Sequence, residues 1–156
     1  MVHAGQAPSG CLRRCPAYFT AYLMNSKSLL ITGSILLALA VAFGAFGAHI
    51  VQDMLTPDRF EVYKTAVEYH FYHALGLLIL GAVSIKIEES KWLRWSGYCL
   101  LSGIVIFSGS LYFLTLTDTG WLGMITPIGG FAFILGWVFF AIGVWKCTPD
   151  SLSGKE

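Results

Sequence analysis

The stretch SLLITGSILLALAVAFGAFGA, residues 28–48, runs for 21 residues without a charge. A helix rises ~1.5 Å per residue, so ~20 apolar residues cross the hydrocarbon core of a bilayer. This run therefore predicts a transmembrane helix. Further charge-free runs cover 17 residues from Tyr69 to Ile85, 23 from Trp95 to Thr117 and 27 from Thr119 to Trp145. The second falls short alone, but its pattern extends upstream through Val67 and Ala66. Thr56 or Asp58 is its candidate cap, with Pro57 in its first turn. That helix would start in water and enter the bilayer near Glu68.

The whole composition agrees. Of the 156 residues, 56% are hydrophobic and 12% charged, with a mean hydropathy of +0.67, whereas soluble domains are ~25% charged. The net charge of +1 gives no electrostatic case for nucleic acid or an acidic partner. Aromatic content of 15% excludes disorder for most of the chain.

Short connections at His49–Thr65, at Lys86–Arg94 and around Asp118 predict an all-α membrane protein, a four-transmembrane-helix antiparallel bundle. Arg13, Arg14, Lys27, Lys86, Lys91, Arg94, Lys146 and Lys155 fall on one side, against Arg59 and Lys64 on the other. Both termini are therefore expected in the cytoplasm. Trp92, Trp95 and Trp145 would mark the inner interface and Trp121 the outer.

Residues 1–23 read as a poorly structured extension ahead of a natural start at Met24, residues 24–147 as the membrane domain and 148–156 as a tail. A mitochondrial targeting peptide is the alternative for the basic, acid-free front segment, which would place the protein in a mitochondrial membrane. Its Pro8 and Pro16 oppose an amphipathic helix. Ala45-Phe46-Gly47 has the small residues of a signal cleavage site, but the apolar run exceeds the usual ~7–15 residues. Cys11, Cys15, Cys99 and Cys147 form no disulfide framework, because three of them would face a reducing compartment.

Placing polar residues by depth is the informative step. His49 is expected to end span one at the outer face. Glu68, His70 and His73 begin span two there, Ser108, Ser110, Tyr112 and Thr115 close span three, and Thr126 with Pro127 opens span four. At ~100° per residue, His73 shares a face with Ala66, Tyr69, Gly76 and Leu80, while Glu68 points ~140° away and in this reading either pairs with Lys64 or faces a different neighbour. His49 continues the face of Ala38, Ala42 and Ala45. Spacings of four join Ala40, Gly44 and Ala48 on span one and Ala132 and Gly136 on span four. Such spacings let helices approach closely in lipid, with Ser, Thr, Tyr and His bonding between them.

Packing explains much of this pattern. Ionisable groups inside a span are costly, however, and often functional. The candidate ligand or proton site is His49 and His73, with His70, Glu68, Ser108, Tyr112 and Thr126 around them. A metal at His49, His70 and His73, or haem between His49 and His73, is the low-ranked alternative, and no cofactor is predicted. Ser108 or Ser110 with His73 lacks the third member of a nucleophilic triad, so no catalytic residue is assigned. No glycine-rich phosphate loop is present.

Four motifs occur in order: Gly44-Ala45-Phe46-Gly47-Ala48-His49, Tyr69-His70-Phe71-Tyr72-His73-Ala74-Leu75, Phe107-Ser108-Gly109-Ser110-Leu111-Tyr112 and Thr126-Pro127-Ile128-Gly129-Gly130. Together they resemble the domain-of-unknown-function 423 family, the YgdD-like small inner-membrane proteins, over about Met24 to Lys146. The resemblance implies several membrane helices and a bacterial inner-membrane location. It implies no reaction and carries over no catalytic residue. That family often has glutamine where this chain has His70, which favours His49 with His73 for any shared role. The leading expectation is a non-enzymatic inner-membrane protein that packs with itself, as a homo-oligomer, or with a larger membrane complex. A small transport or proton-handling protein stands second, and a metal- or haem-binding redox subunit third.

Overall fold

The computed structural model describes residues 25–86, 90–117 and 119–146, and all the expected spans are helices. The expected extension 1–23 with Cys11 and Cys15, the loop residue Asp118, Cys147 and the tail 148–156 lie outside the described residues. Span one covers Ser26–Met54, span two Pro57–Lys86, span three Lys91–Thr117 and span four Gly120–Lys146, each long and apolar enough to cross a membrane. No strand occurs among the described residues.

Local chemistry sets the helix ends. The side chain of Asn25 accepts a hydrogen bond from the Ser28 amide at 2.8 Å, capping span one. Ser90 does the same for span three through the Trp92 amide at 3.3 Å. Pro57 is the first helical residue of span two, where its missing N–H costs nothing. Span four opens with a tight turn, Gly120–Met124, and its α-helix runs Thr126–Lys146.

Span one corrects one expectation. His49 does not end it. The α-helix Ser26–Phe46 passes into a π-helical turn, Gly47–Val51, and continues through Gln52–Met54. The apolar Ile50 and Val51 extend the pattern, and the chain breaks only at Leu55, whose backbone is extended. Thr56 precedes proline, which disfavours helix. Span three carries a second π-helical turn, Ile104–Ser108.

Span one packs along span two and span three along span four, while spans two and three join the pairs at the centre. The buried core includes Leu29, Ala74, Leu77, Leu80, Leu93, Leu100, Ile104 and Phe133. Exposed side chains such as Ile35, Val41, Val105, Phe131 and Ile134 cover the outside, as a lipid-facing surface requires.

Glycines set both pairings. On span four, a β-carbon on Gly143 would lie 2.6 Å from Leu93, on Gly136 2.8 Å from Leu100, and on Gly129 2.5 Å from the Phe107 backbone nitrogen. Three glycines seven apart thus face three large residues seven apart, running in opposite directions. In the other pair, Gly33 meets Leu78 at 3.0 Å, Gly47 meets Tyr63 at 2.6 Å and Gly81 of span two meets Leu30 at 3.0 Å.

The expected packing faces, read as contacts inside the bundle or with partners, enter these internal seams only in part. Ala40 is buried, but Gly44 is half-buried and Ala48 exposed; Gly136 is buried, but Ala132 is only half-buried. A step of four residues advances ~400° and drifts by ~40°, whereas a step of seven drifts only ~20°. Gly33, Ala40 and Gly47 hold the seam for that reason, and the spacing-by-four faces walk off it.

Candidate membrane-embedded polar site

His70 and His73 are nearly fully buried, at 4% and 7% exposure. Three residues of helix separate them by ~60°, and they serve different neighbours. His73 points to span four. Its ring stacks on Phe133 with centroids 3.4 Å apart, and Trp137 stands at 6.3 Å. Its Nδ1 lies 2.7 Å from the Tyr69 carbonyl oxygen. A carbonyl only accepts, so this bond assigns the proton to Nδ1.

His70 points to spans one and three. Its Nδ1 lies 3.3 Å from the Tyr112 hydroxyl, and the Phe43 ring packs at 6.2 Å. Its Nε2 is buried without a hydrogen-bond partner among the described residues. The Ser108 Oγ is in the same state, on a residue 1% exposed. Ser108 closes the π-helical turn of span three, one helical turn before Tyr112.

Tyr63 completes the group. Its ring is 5.4 Å from that of Tyr112, and its hydroxyl donates to the Phe43 carbonyl at 2.8 Å. The amide of Gly47 is shared between the carbonyls of Gly44 and Phe43 as the helix enters its π turn. The Phe43 oxygen is thereby open to a second donor. On its other side Tyr63 walls a groove of about 190 Å³ with Gly44, Gly47, Lys64, Val67 and Glu68. Tyr63 thus touches the groove on one side and the ring of Tyr112 on the other.

The expected site residues Thr126, Glu68 and His49 are placed apart from this group, as are Ser110 and Thr115. Ser110 bonds Thr126 at 3.0 Å and the Phe107 carbonyl at 2.9 Å, which ties span three to span four. The Thr115 hydroxyl is used by backbone carbonyls of its own helix. Glu68 is exposed on the groove wall, and Lys64 pairs with Glu61 at 2.6 Å instead of with Glu68. His49 is exposed, as are Ala38, Ala42 and Ala45 on its face.

His49 and His73 are not brought together. The register that sets Gly47 against Tyr63 and Gly33 against Leu78 puts His49 beside the first turns of span two. His73 lies about ten residues deeper, or ~15 Å along the helix. Among the described residues no three His, Cys, Asp or Glu side chains gather as a metal site would need, so the metal and two-histidine haem arrangements find no support in the geometry.

Tyr63 and Phe43 are absent from the sequence-based site. The available signal was the seven-residue step from Tyr63 to His70, which places them on one face of span two. Chemically, the cluster offers a phenol bonded to an imidazole whose second nitrogen faces the interior. An imidazole can accept a proton at one nitrogen and release one from the other.

A family model described as a protein of unknown function, DUF423, matches residues 43–130. Those bounds enclose Phe43, Tyr63, His70, Ser108, Tyr112 and Thr126. The chain is similar to a UPF0382 membrane protein of Staphylococcus epidermidis, 44% identical over 120 residues that make up 77% of this chain and 97% of that protein. It is also similar to the UPF0382 membrane protein YwdK of Bacillus subtilis, at 41% identity over 77% of this chain and 98% of the relative. A third relative, the UPF0382 membrane protein SH2409 of Staphylococcus haemolyticus, is 42% identical over 77% of this chain and 97% of its own length. No solved structure matches.

Proposed function

The chain belongs to the DUF423 family of membrane proteins, and we propose that this member of it handles protons where the buried His70 meets the half-buried Tyr112. It does so in a bacterial inner membrane, with both termini in the cytoplasm. One observation carries the reading: an imidazole 4% exposed inside a membrane span bonds a tyrosine hydroxyl at Nδ1 and leaves Nε2 unpartnered among the described residues. Such a group is expensive to keep in hydrocarbon, and packing alone would favour an apolar residue. Tyr63 separates the pair from the groove between spans one and two, so it controls access. No covalent chemistry is required.

The test is proton flux into liposomes holding the full-length protein, a trapped pH dye and an imposed pH gradient. Tyr112→Phe and His70→Phe should reduce flux to that of protein-free liposomes, while His49→Ala leaves it at the parent value. Parent flux equal to that of empty liposomes, or Tyr112→Phe equal to the parent, would remove the proposal. A reporter fused after Glu156 should be active in the cytoplasm, and periplasmic activity would overturn the orientation.

Self-assembly is the second reading. Gly33, Gly47, Gly81, Gly129, Gly136 and Gly143 are consumed in internal seams, whereas Ala38, Ala42 and Ala45 form an exposed small-residue face on span one. Replacing Ala42 by Leu would disperse an oligomer built on that face without altering flux through a monomer.

A further inference from the structure

The end of the molecule far from His70 holds a second feature. Lys91, Arg94, Trp95 and Tyr98 line a groove of about 300 Å³ where span three begins. Their spacing puts them on one helical face. Lys91 is exposed and Arg94 half-buried, at the water-facing level; Trp95 is 58% exposed and forms an edge-to-face pair with Tyr98 at 6.1 Å, one to two turns further in. Beside them Lys146 stands 4.9 Å over the Trp92 ring. Lys27 and Lys86 share this end, whereas the described acids Asp53, Asp58, Glu61 and Glu68 all lie at the opposite one. Glu88 and Glu89 of the connection lie outside the described residues.

We propose that this groove binds the headgroup of an anionic phospholipid. The phosphate sits on Lys91 and Arg94, and the glycerol–acyl boundary runs along Trp95 and Tyr98. An arginine fork matches phosphate oxygens, and a lysine adds a point charge. Tryptophan and tyrosine settle at headgroup depth because one end of each ring system is polar. Basic pockets at the ends of membrane helices are suited to acidic headgroups. A free anion would use the cations but not the aromatic wall that descends into the bilayer. A second copy docked symmetrically would bring the same cations against each other, which repel.

The test is native mass spectrometry of the full chain released from nanodiscs of equal phosphatidylglycerol and phosphatidylcholine. The parent should retain phosphatidylglycerol in excess. Each basic side chain near a membrane surface contributes about fivefold, so Lys91→Gln/Arg94→Gln should lower that preference by about 25-fold. Lys64→Gln at the opposite end, where the side chain is already paired with Glu61, should leave it unchanged, and Trp95→Leu should weaken it. If the double variant does not purify as a folded species, Lys91→Gln alone carries the test with about a fivefold loss. No lipid preference in the parent, or an unchanged preference in Lys91→Gln/Arg94→Gln, would overturn the proposal. So would displacement of the lipid by inorganic phosphate, which would make the site one for free anions. A lipid-free dimer that the double variant breaks would assign the groove to a second copy.

Discussion

The two helix pairs are built on the same plan but to different tolerances. In the pair of spans three and four, Gly129, Gly136 and Gly143 receive Phe107, Leu100 and Leu93 so closely that an added β-carbon would lie within 2.5–2.8 Å of a neighbour. In the pair of spans one and two, Gly33 leaves 3.0 Å to Leu78 and Gly44 leaves 3.5 Å to Val67. Only Gly47, against Tyr63, is as tight as the first pair. The looser pair also holds the groove, the π turn beside Phe43 and the Tyr63 hydroxyl. Close packing and an accessible polar site compete for the same backbone spacing, and this molecule gives each its own seam.

Substitutions can break that contrast. Gly129→Ala should have the largest effect, because its β-carbon would meet Phe107 backbone, which cannot rotate away. Its cost belongs at or above the top of the ~1–3 kcal/mol range for overpacking, read as loss of unfolding free energy in mild detergent. If Gly129→Ala is as stable as the parent, the tight seam is not tight. Gly47→Ala comes next. The obstacle there is a tyrosine ring edge that can shift, at the expense of its bond to Phe43, so about 1 kcal/mol is expected. A double-mutant cycle with Tyr63→Phe should show coupling, and strict additivity would mean that Tyr63 does not sense Gly47. Gly44→Ala is the smallest. Its β-carbon makes an ordinary contact with Val67, so the change should stay within ~0.5 kcal/mol. A larger loss would show that spans one and two pack more closely than this comparison holds.

The spans were legible in the sequence because hydrocarbon thickness imposes a length on apolar runs. Pro57 and the lone break at Leu55 then fix where spans one and two meet. The gathering of Ser110, Tyr112 and Thr126 away from the basic end was legible from their depth alone. The pairing of His70 with Tyr112 was not. It depends on the register between spans two and three, which no single helix carries. The π turns add to the difficulty, since each takes more residues per turn than the ~3.6 on which a helical projection relies. The seam glycines were legible only in part, for a simpler reason. A search for steps of four finds Ala40 and Gly136 but not the residues seven away from them, and its drift of ~40° per step carries it off the seam within two steps.

Only Leu55 and Thr56 lie between spans one and two. So short a connection cannot itself reach across a bilayer, so the two arms must enter the membrane as one hairpin. Span one is the more apolar arm, whereas span two begins with Asp58, Arg59, Glu61, Lys64 and Glu68. The charged first turns of span two thus sit beside the turn, where they stay in water, and the apolar arm next to them supplies the hydropathy that the second arm lacks. The two-residue turn therefore makes the crossing of one arm depend on the crossing of the other.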